Sequence, residues 1–391
     1  MRYYIIAGEA SGDLHGSNLI KGLTEVDAQA LIRFWGGGMM KAAWEESGHG
    51  NGPEGGLVRD YRDTAVMGIS DVLKSLGKIS RNLRYCQEDL LAFRPDALIL
   101  IDYPGFNLKM ARFAHERGIK VFYYIAPKVW ASREGRIRQI KAYVDRLFII
   151  FPFEIPYFTR KGIPFIYKGN PLIDAVDNAP AMRQSREAFF DAHGLEECRY
   201  VALLAGSRSG EISRMMPVCM AAADRLQERE PDLHFIVAGA PSRSAEDYLP
   251  YIDGRENVHL AFGDTYGVLR HAECAVINSG TASLEAALIG TPQVVCWSTS
   301  GVTYFVGKYI LRILEHISYI SLGNLILDRL LFKEFIQDAF NAEAVAAEVL
   351  RLMEPACREE MKKGYAEIRE ALGGRGASLA VARAMVEELS R

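Results

Sequence analysis

The chain has 391 residues, 49% hydrophobic and 24% charged, with a formal net charge of -3; its length exceeds one core and predicts two domains of about 150 to 200 residues each. The near-balanced charge excludes a general nucleic-acid binder and leaves only local basic patches for anionic partners. No window offers 18 uninterrupted apolar residues, since the most apolar, "YFVGKYILRIL", carries Lys308 and Arg312, so any membrane contact is expected to be peripheral.

The chain opens on "MRYYIIAGEA", a strand with no charged leader before it, so no signal peptide is expected. Short apolar runs then alternate with helical patterns. "RYYIIA", "LIRFW", "ALILID", "KVFYYIA", "RLFIIFP" and "FIYKGN" read as strands, several of them apolar on both faces, as in a parallel sheet covered on both sides. After "GNPLIDAVDNAP", where a hinge is expected near 170–180, the chain turns polar and helical, and the rhythm restarts with "YVALLAGS", "LHFIVAGA", "NVHLAF", "CAVINSG" and "QVVCW". From Asn341 onward only helical patterns remain.

The predicted class is α/β: two doubly wound Rossmann-like domains facing across a cleft. Their expected bounds are 1–172 and 173–355, followed by a helical tail, 356–391, packing back on the first domain. The oligomeric state stays open, a homodimer with exchanged tails being one form. The six cysteines (Cys86, Cys198, Cys219, Cys274, Cys296, Cys357) form no C-x-x-C pair and are expected as buried free thiols of a reducing compartment.

In open α/β sheets ligands bind beyond the carboxyl ends of strands, so the residues after each apolar run are the informative ones. "GEASGDLHG" follows the first. Gly8 and Gly12 allow a tight turn, but Glu9 and Asp13 would repel a pyrophosphate, so Glu9 and Ser11 are assigned to sugar hydroxyls. His15 stands beside this loop as a sugar or phosphate contact or as a solvated first-turn residue. The alternative for the whole loop is a plain strand-to-helix turn, with Asp13 favouring the helix start.

In the second array, "GSRSGEI" combines Gly206, Ser207, Arg208 and Glu211 at a helix start, and Arg208 is the first candidate for gripping a diphosphate. "NSGTASLE" places Asn278, Ser279, Gly280 and Thr281 likewise, with Glu285 one turn on, either holding a ribose diol or serving the helix locally. Asp102 ends "ALILID" and is either a base or a helix cap for the segment after it. A nucleotide diphosphate on the second domain, and a hydroxyl-bearing partner with a base on the first, is the layout of a nucleotide-sugar glycosyltransferase. No D-x-D ends a strand and the histidines are scattered, so no metal and no cofactor are expected.

"GEASGD", "AVMGISDVL", "IDYPGFN", "APKVWAS", "LAGSR", "SGTASLE" and "ISLGN" stand in the order of the corresponding motifs of the lipid-A-disaccharide synthase family, which the chain resembles over essentially its whole length. The resemblance implies a two-Rossmann-domain (GT-B type) enzyme. Such an enzyme transfers diacylglucosamine from its UDP derivative to the 6-hydroxyl of a diacylglucosamine 1-phosphate, releasing UDP and forming a β-1,6 linkage. It also implies that Asp102 is the essential aspartate, Arg208 the catalytic arginine of the "GSR" loop and Asn324 the asparagine of the "SLxN" motif. Departures are Gly105, Ala205 and Ser132, where some members carry Asp, Pro and Trp.

Such substrates are met at a bilayer. Val66, Met67, Ile69, Val72, Leu73 and Leu76, interleaved with Lys74, Lys78, Arg81 and Arg84, compose an interfacial helix suited to the anionic inner face of the cytoplasmic membrane. An amphipathic helix covering a sheet has the same pattern. The rival activities are a UDP-N-acetylglucosamine epimerase of the same architecture and a non-catalytic nucleotide-sugar binder.

Overall fold

The computed structural model describes residues 1–49, 54–64, 72–127, 129, 134–299 and 319–391. The chain forms two compact units, Met1–Ala175 with Leu372–Arg391, and Val176–Ala371. The division falls inside a short helix, Leu172–Asp177.

In the first unit β1 (Arg2–Ala7), β2 (Leu31–Gly36), β3 (Gly56–Asp60), β4 (Ala97–Ile101), β5 (Lys120–Tyr124), β6 (Arg146–Ile149) and β7 (Phe165–Tyr167) form one parallel sheet. Its order is β3-β2-β1-β4-β5-β6-β7. Because side chains alternate along a strand, Tyr4, Ile6, Leu98, Leu100 and Tyr123 meet one layer of helices, including Val72–Phe93 and Pro104–His115. The alternate residues Tyr3, Ile5, Ile99 and Ile101 are as deeply buried. Helix Ala10–Val26 packs against β1 and β4 and against helix Ala377–Ser390. The sequence reading missed β3. Its five residues are all half-buried and include Arg59 and Asp60, so an edge strand leaves no apolar run to recognise.

In the second unit β8 (Arg199–Leu204), β9 (Leu233–Gly239), β10 (Val258–Phe262), β11 (Cys274–Asn278), β12 (Gln293–Trp297) and β13 (Glu334–Ile336) form a parallel sheet in the order β10-β9-β8-β11-β12-β13. Both sheets therefore reverse their winding at the first strand of the array, between β1 and β4 and between β8 and β11. That reversal is the topological switch point at which doubly wound folds bind ligands. The missed β13 is a three-residue edge strand containing Glu334.

The helical end of the chain divides between the units. Helix Pro355–Leu372 belongs almost wholly to the second, so the segment returning to the first unit is Leu372–Arg391, shorter than the 356–391 expected. It is fixed within its own chain. Asp174 accepts from the amides of Gly376 at 2.7 Å and Ser378 at 3.3 Å, the Leu372 carbonyl accepts from Tyr167 Oη at 3.2 Å, and Arg146 pairs with Glu388 at 2.6 Å. The six cysteines are free thiols, and all but the half-buried Cys198 are buried.

Candidate functional site

At the switch point of the first sheet, the chain leaves β4 through two consecutive residues in the left-handed region, Asp102 at φ 42° and Tyr103 at φ 45°, and leaves β5 through a third, Ile125 at φ 62°. A non-glycine residue in such a conformation costs of order 1–3 kcal/mol and persists only where the surroundings impose it. Here they do. The Asp102 carbonyl accepts from Tyr123 Oη at 2.6 Å and from Asn107 Nδ2 at 2.8 Å, while the Asp102 amide donates to the Tyr124 carbonyl at 3.4 Å. Asn107 is fully buried and also reaches the Ile101 carbonyl at 3.2 Å. The helix that follows, Pro104–His115, takes Tyr103 rather than Asp102 as its cap residue, with no side-chain capping bond. The cap alternative for Asp102 is therefore not what the geometry provides. Burial raises the Tyr123 phenol well above its ordinary range, with the Asp102 charge adding to it and Arg136 opposing.

Across the switch point Gly8 follows β1 and lies against the Tyr103 ring. A methyl group at Gly8 would overlap the Tyr103 ring, so this position needs glycine for close approach rather than for an unusual φ. Glu9 is exposed beside it and receives a 3.4 Å bond from Ser11 Oγ. Gly12 lets the helix start sit against Ala7 and Ile101.

Two residues assigned to this loop are committed elsewhere. Asp13 is buried, and its carboxylate accepts from the amides of Gly37 at 2.8 Å, Met39 at 3.1 Å and Met40 at 3.0 Å, holding the start of helix Gly38–Glu46. It is a tether, with its acceptors in use. His15 is buried rather than solvated. Desolvation pushes its pKa down to about 4, and Nδ1 has no hydrogen-bond partner among the described residues. A neutral core imidazole is the result.

The second switch point is built differently. Gly206 has φ 99°, and a side chain there would collide with Glu211 and Asn278. Helix Ser209–Gln227 then starts with a reciprocal cap: Glu211 Oε2 accepts from the amides of Ser207 at 3.0 Å and Arg208 at 3.2 Å, and Glu211 Oε1 meets the Arg208 guanidinium at 2.8 Å. Glu211 thus occupies the donors that the sequence reading offered to an anion. The Arg208 side chain itself is 78% exposed.

Arg243, from the loop after β9, braces this turn by donating to the Ser207 carbonyl at 2.8 Å and to Ser209 Oγ at 2.7 Å. The sequence reading passed over Arg243, although "GAPSR" follows an apolar run just as "GSR" does. Beyond β11, Ser279 donates from its amide to the Cys296 carbonyl at 2.8 Å and from Oγ to the Ile320 carbonyl at 3.3 Å. Gly280 and Thr281 lead into helix Ala282–Ile289. Glu285 accepts from Tyr266 Oη at 2.9 Å; desolvation raises its carboxyl above the ordinary range and that bond pulls it part of the way back. Tyr266, on helix Thr265–His271, carried no sequence signal.

Asn324 is fully buried and spent on scaffold. Its Nδ2 donates to the Phe332 carbonyl and to Glu334, both at 2.9 Å, and its Oδ1 accepts from Leu331 at 2.9 Å. Glu334 in turn receives the amides of Ile320 at 2.9 Å and Ser321 at 3.0 Å. Because the Ile320 carbonyl takes Ser279 Oγ, Asn324 supports the β11 loop from behind instead of standing open at its surface.

Of the expected lipid-facing residues, Val66, Met67 and Ile69 lie outside the described residues, and Val72, Leu73 and Leu76 fall in helix Val72–Phe93, where Lys78, Arg81 and Arg84 are exposed. Among the described residues no helix is long and apolar enough to cross a membrane, and no group of three or more His, Cys, Asp or Glu residues is placed to hold a metal ion.

Comparison with known proteins bears on the whole chain. Residues 3–385 match the family described as lipid-A-disaccharide synthetase. The lipid-A-disaccharide synthases of Geobacter metallireducens and Geobacter sulfurreducens are 39% and 38% identical, each aligned over 100% of this chain and 98% of its own length. Among solved structures, a UDP-GlcNAc 2-epimerase from Neisseria meningitidis bound to UDP-GlcNAc superposes with a TM-score of 0.69 at 14% identity, covering 99% of this chain and 100% of that one. A putative UDP-N-acetylglucosamine 2-epimerase from Listeria monocytogenes gives 0.69 at 16%, covering 100% and 97%. These likenesses show a shared two-unit Rossmann-like fold.

Proposed function

The chain belongs to the lipid-A-disaccharide synthase family and is a glycosyltransferase, and from that premise we propose how its two switch points divide the work. It transfers diacylglucosamine from UDP-2,3-diacylglucosamine to the 6-hydroxyl of 2,3-diacylglucosamine 1-phosphate, releasing UDP. Asp102 is the base. An alcohol attacks an anomeric carbon poorly while it keeps its proton, and a positioned carboxylate that accepts the proton as the bond forms contributes about 10²- to 10⁴-fold. The observation that carries this assignment is the imposed left-handed conformation of Asp102 and Tyr103, held by Tyr123 and Asn107 where a doubly wound sheet binds ligand. Gly8, Glu9 and Ser11 lie beside it and serve the acceptor sugar, with Asp13 and His15 supporting from the interior.

Arg208 is the group that meets the departing diphosphate. It is exposed, permanently charged and seated on a helix start, and fixed positive groups aimed at developing negative charge are usually the largest catalytic contribution. Ser279, Gly280 and Thr281 add donors at a second helix start, Glu285 is the residue for the ribose diol, and Asn278 and Asn324 keep the two loops in register. Inversion follows from in-line attack, which turns an α-linked UDP-sugar into a β-glycoside.

The acyl chains place the reaction at a lipid surface. We assign the contact to residues 66–76, with the exposed cations of helix Val72–Phe93 toward anionic headgroups of the inner face of the cytoplasmic membrane. The test is direct. Purified protein given UDP-2,3-diacylglucosamine and acceptor should release UDP only when both are present. UDP release without acceptor would instead favour an epimerase or hydrolase, and binding without release a non-catalytic binder.

A further inference from the structure

We propose that Tyr266 is a positioning residue for the nucleotide: its hydroxyl holds one oxygen of Glu285 so that the other is aimed at a ribose hydroxyl, and the pair thereby selects a ribonucleotide over its deoxy analogue. The proposal rests on the assignment of Glu285 to the ribose above. Both residues stand where a parallel sheet meets its ligands. Tyr266 is the second residue of helix Thr265–His271, which follows β10, and Glu285 lies in the first turn of helix Ala282–Ile289, which follows β11. The two helices pack on each other, and Tyr266 Oη donates to Glu285 Oε1 at 2.9 Å.

What Glu285 does not touch is as telling. A carboxylate at a helix start ordinarily serves that helix, by accepting from its free amides or by facing its positive end. Glu211 does so for helix Ser209–Gln227, and Asp13 for helix Gly38–Glu46. Glu285 accepts from no backbone amide among the described residues, and none of them donates to Oε2. A half-buried carboxylate with one oxygen pinned and the other left without a donor suits a hydroxyl. A phosphate there would meet like charge.

Tyr266 is the donor in this pair. Burial, and after it the Glu285 charge, raises its phenol well above the ordinary range, so the proton stays on Oη. On the carboxylate the same bond opposes the desolvation that raises Glu285, and so favours the charged form, the stronger acceptor for a hydroxyl. The start of the tyrosine's own helix is fixed by Asp264, which accepts from the Gly267 amide at 2.9 Å. Without the phenol, the flexible glutamate side chain must be ordered as the nucleotide binds, which costs about 2- to 13-fold in affinity.

The experiment measures binding of UDP and of 2′,3′-dideoxy-UDP by calorimetry, with donor kinetics alongside. Wild type should prefer UDP. Tyr266→Phe, which keeps the ring, should weaken UDP by about 2- to 13-fold and leave dideoxy-UDP unchanged. Because a ribose contact is made equally before and during the reaction, the donor KM should rise in step while kcat stays within about twofold. A role confined to packing would weaken both nucleotides alike, and that result overturns the proposal, as does unaltered UDP affinity. Should Tyr266→Phe fail to fold, Tyr266→Met removes the same donor and is read in the same way. Glu285→Ala separates the two levels. If it abolishes the preference for UDP while Tyr266→Phe keeps it, the ribose assignment stands and the positioning role falls; if Glu285→Ala keeps the preference, both fall together.

Discussion

The two switch points share one strand order and differ in how they are held. In the first, the turn after β4 is strained, with Asp102 and Tyr103 in left-handed backbone fixed by a buried asparagine and a buried tyrosine. In the second, the turn after β8 puts its one left-handed residue on Gly206, where it is tolerated, and closes with a helix cap. The base proposed for the first site must be aimed to within a fraction of an ångström, a demand that a backbone fixed on several sides suits. The diphosphate contact proposed for the second site falls to a long, exposed guanidinium. On the proposed division of work, the first site is fixed where the chemistry is specific and the second is held by a helix cap where charge suffices.

The sharpest way to separate them is to remove one charge from each. Asp102→Asn keeps the backbone bonds and the shape of the first turn, so kcat should fall by about 10²- to 10⁴-fold while UDP binds as in the wild type, measured by calorimetry alongside initial rates. Near-normal turnover would mean that another group takes the proton. Arg208→Ala should act on the other side, weakening UDP about 10- to 100-fold, as loss of a charge-assisted hydrogen bond does, with kcat/KM falling in step. UDP affinity unaltered in that variant would take the diphosphate away from the "GSR" loop.

Acid should also distinguish the units. His15 lies in the core of the first, and desolvation lowers its pKa to about 4 from the ordinary 6.5. The folded state therefore refuses a proton that the unfolded chain accepts. Stability is complete above pH 6.5 and is lost as pH falls from there toward 4, by about 1.4 kcal/mol per pH unit. Between pH 7.5 and 5 the wild type should lose about 2 kcal/mol more than His15→Leu, read from urea midpoints. Parallel acid limbs in the two proteins would show that His15 is not the proton acceptor.

Much of this was readable from residues alone, and the failures have one physical character. Apolar runs such as "ALILI" announce themselves because a strand covered on both faces has no polar position to break the run. β3 and β13 escaped because edge strands are short and carry charge. The strand-end loops were found as loops, since glycine, serine and acidic residues after an apolar run mark the sheet end. Which of their side chains face outward was not legible. Asp13, Asn324 and Glu211 look like ligand groups by type, yet each is engaged by backbone amides, and amide partners leave no trace in residue spacing when they come from Gly37 or Leu331. The strain at Asp102 was equally silent, because it is imposed by Asn107 and by Tyr123, which lies 21 residues away.

Glu211 offers the smallest and most discriminating test of the comparison. Its carboxylate holds the amides of Ser207 and Arg208 and the Arg208 guanidinium, an arrangement in which an anionic side chain stands where phosphate oxygens would. On the proposed assignment of this loop to the diphosphate, Glu211 competes with the nucleotide. The expected competition is weak, because an exposed ion pair contributes only about 0.2–1 kcal/mol and the Arg208 side chain is 78% exposed. Glu211→Gln preserves an oxygen for the cap and removes the charge, so UDP should bind about 1.5- to 5-fold more tightly, most visibly at low salt, where the pair is least screened. If the glutamine variant binds UDP more weakly, the carboxylate is needed to aim the guanidinium. The second switch point would then be as tightly determined as the first, and the contrast between a rigid base and an adaptable cation would fall.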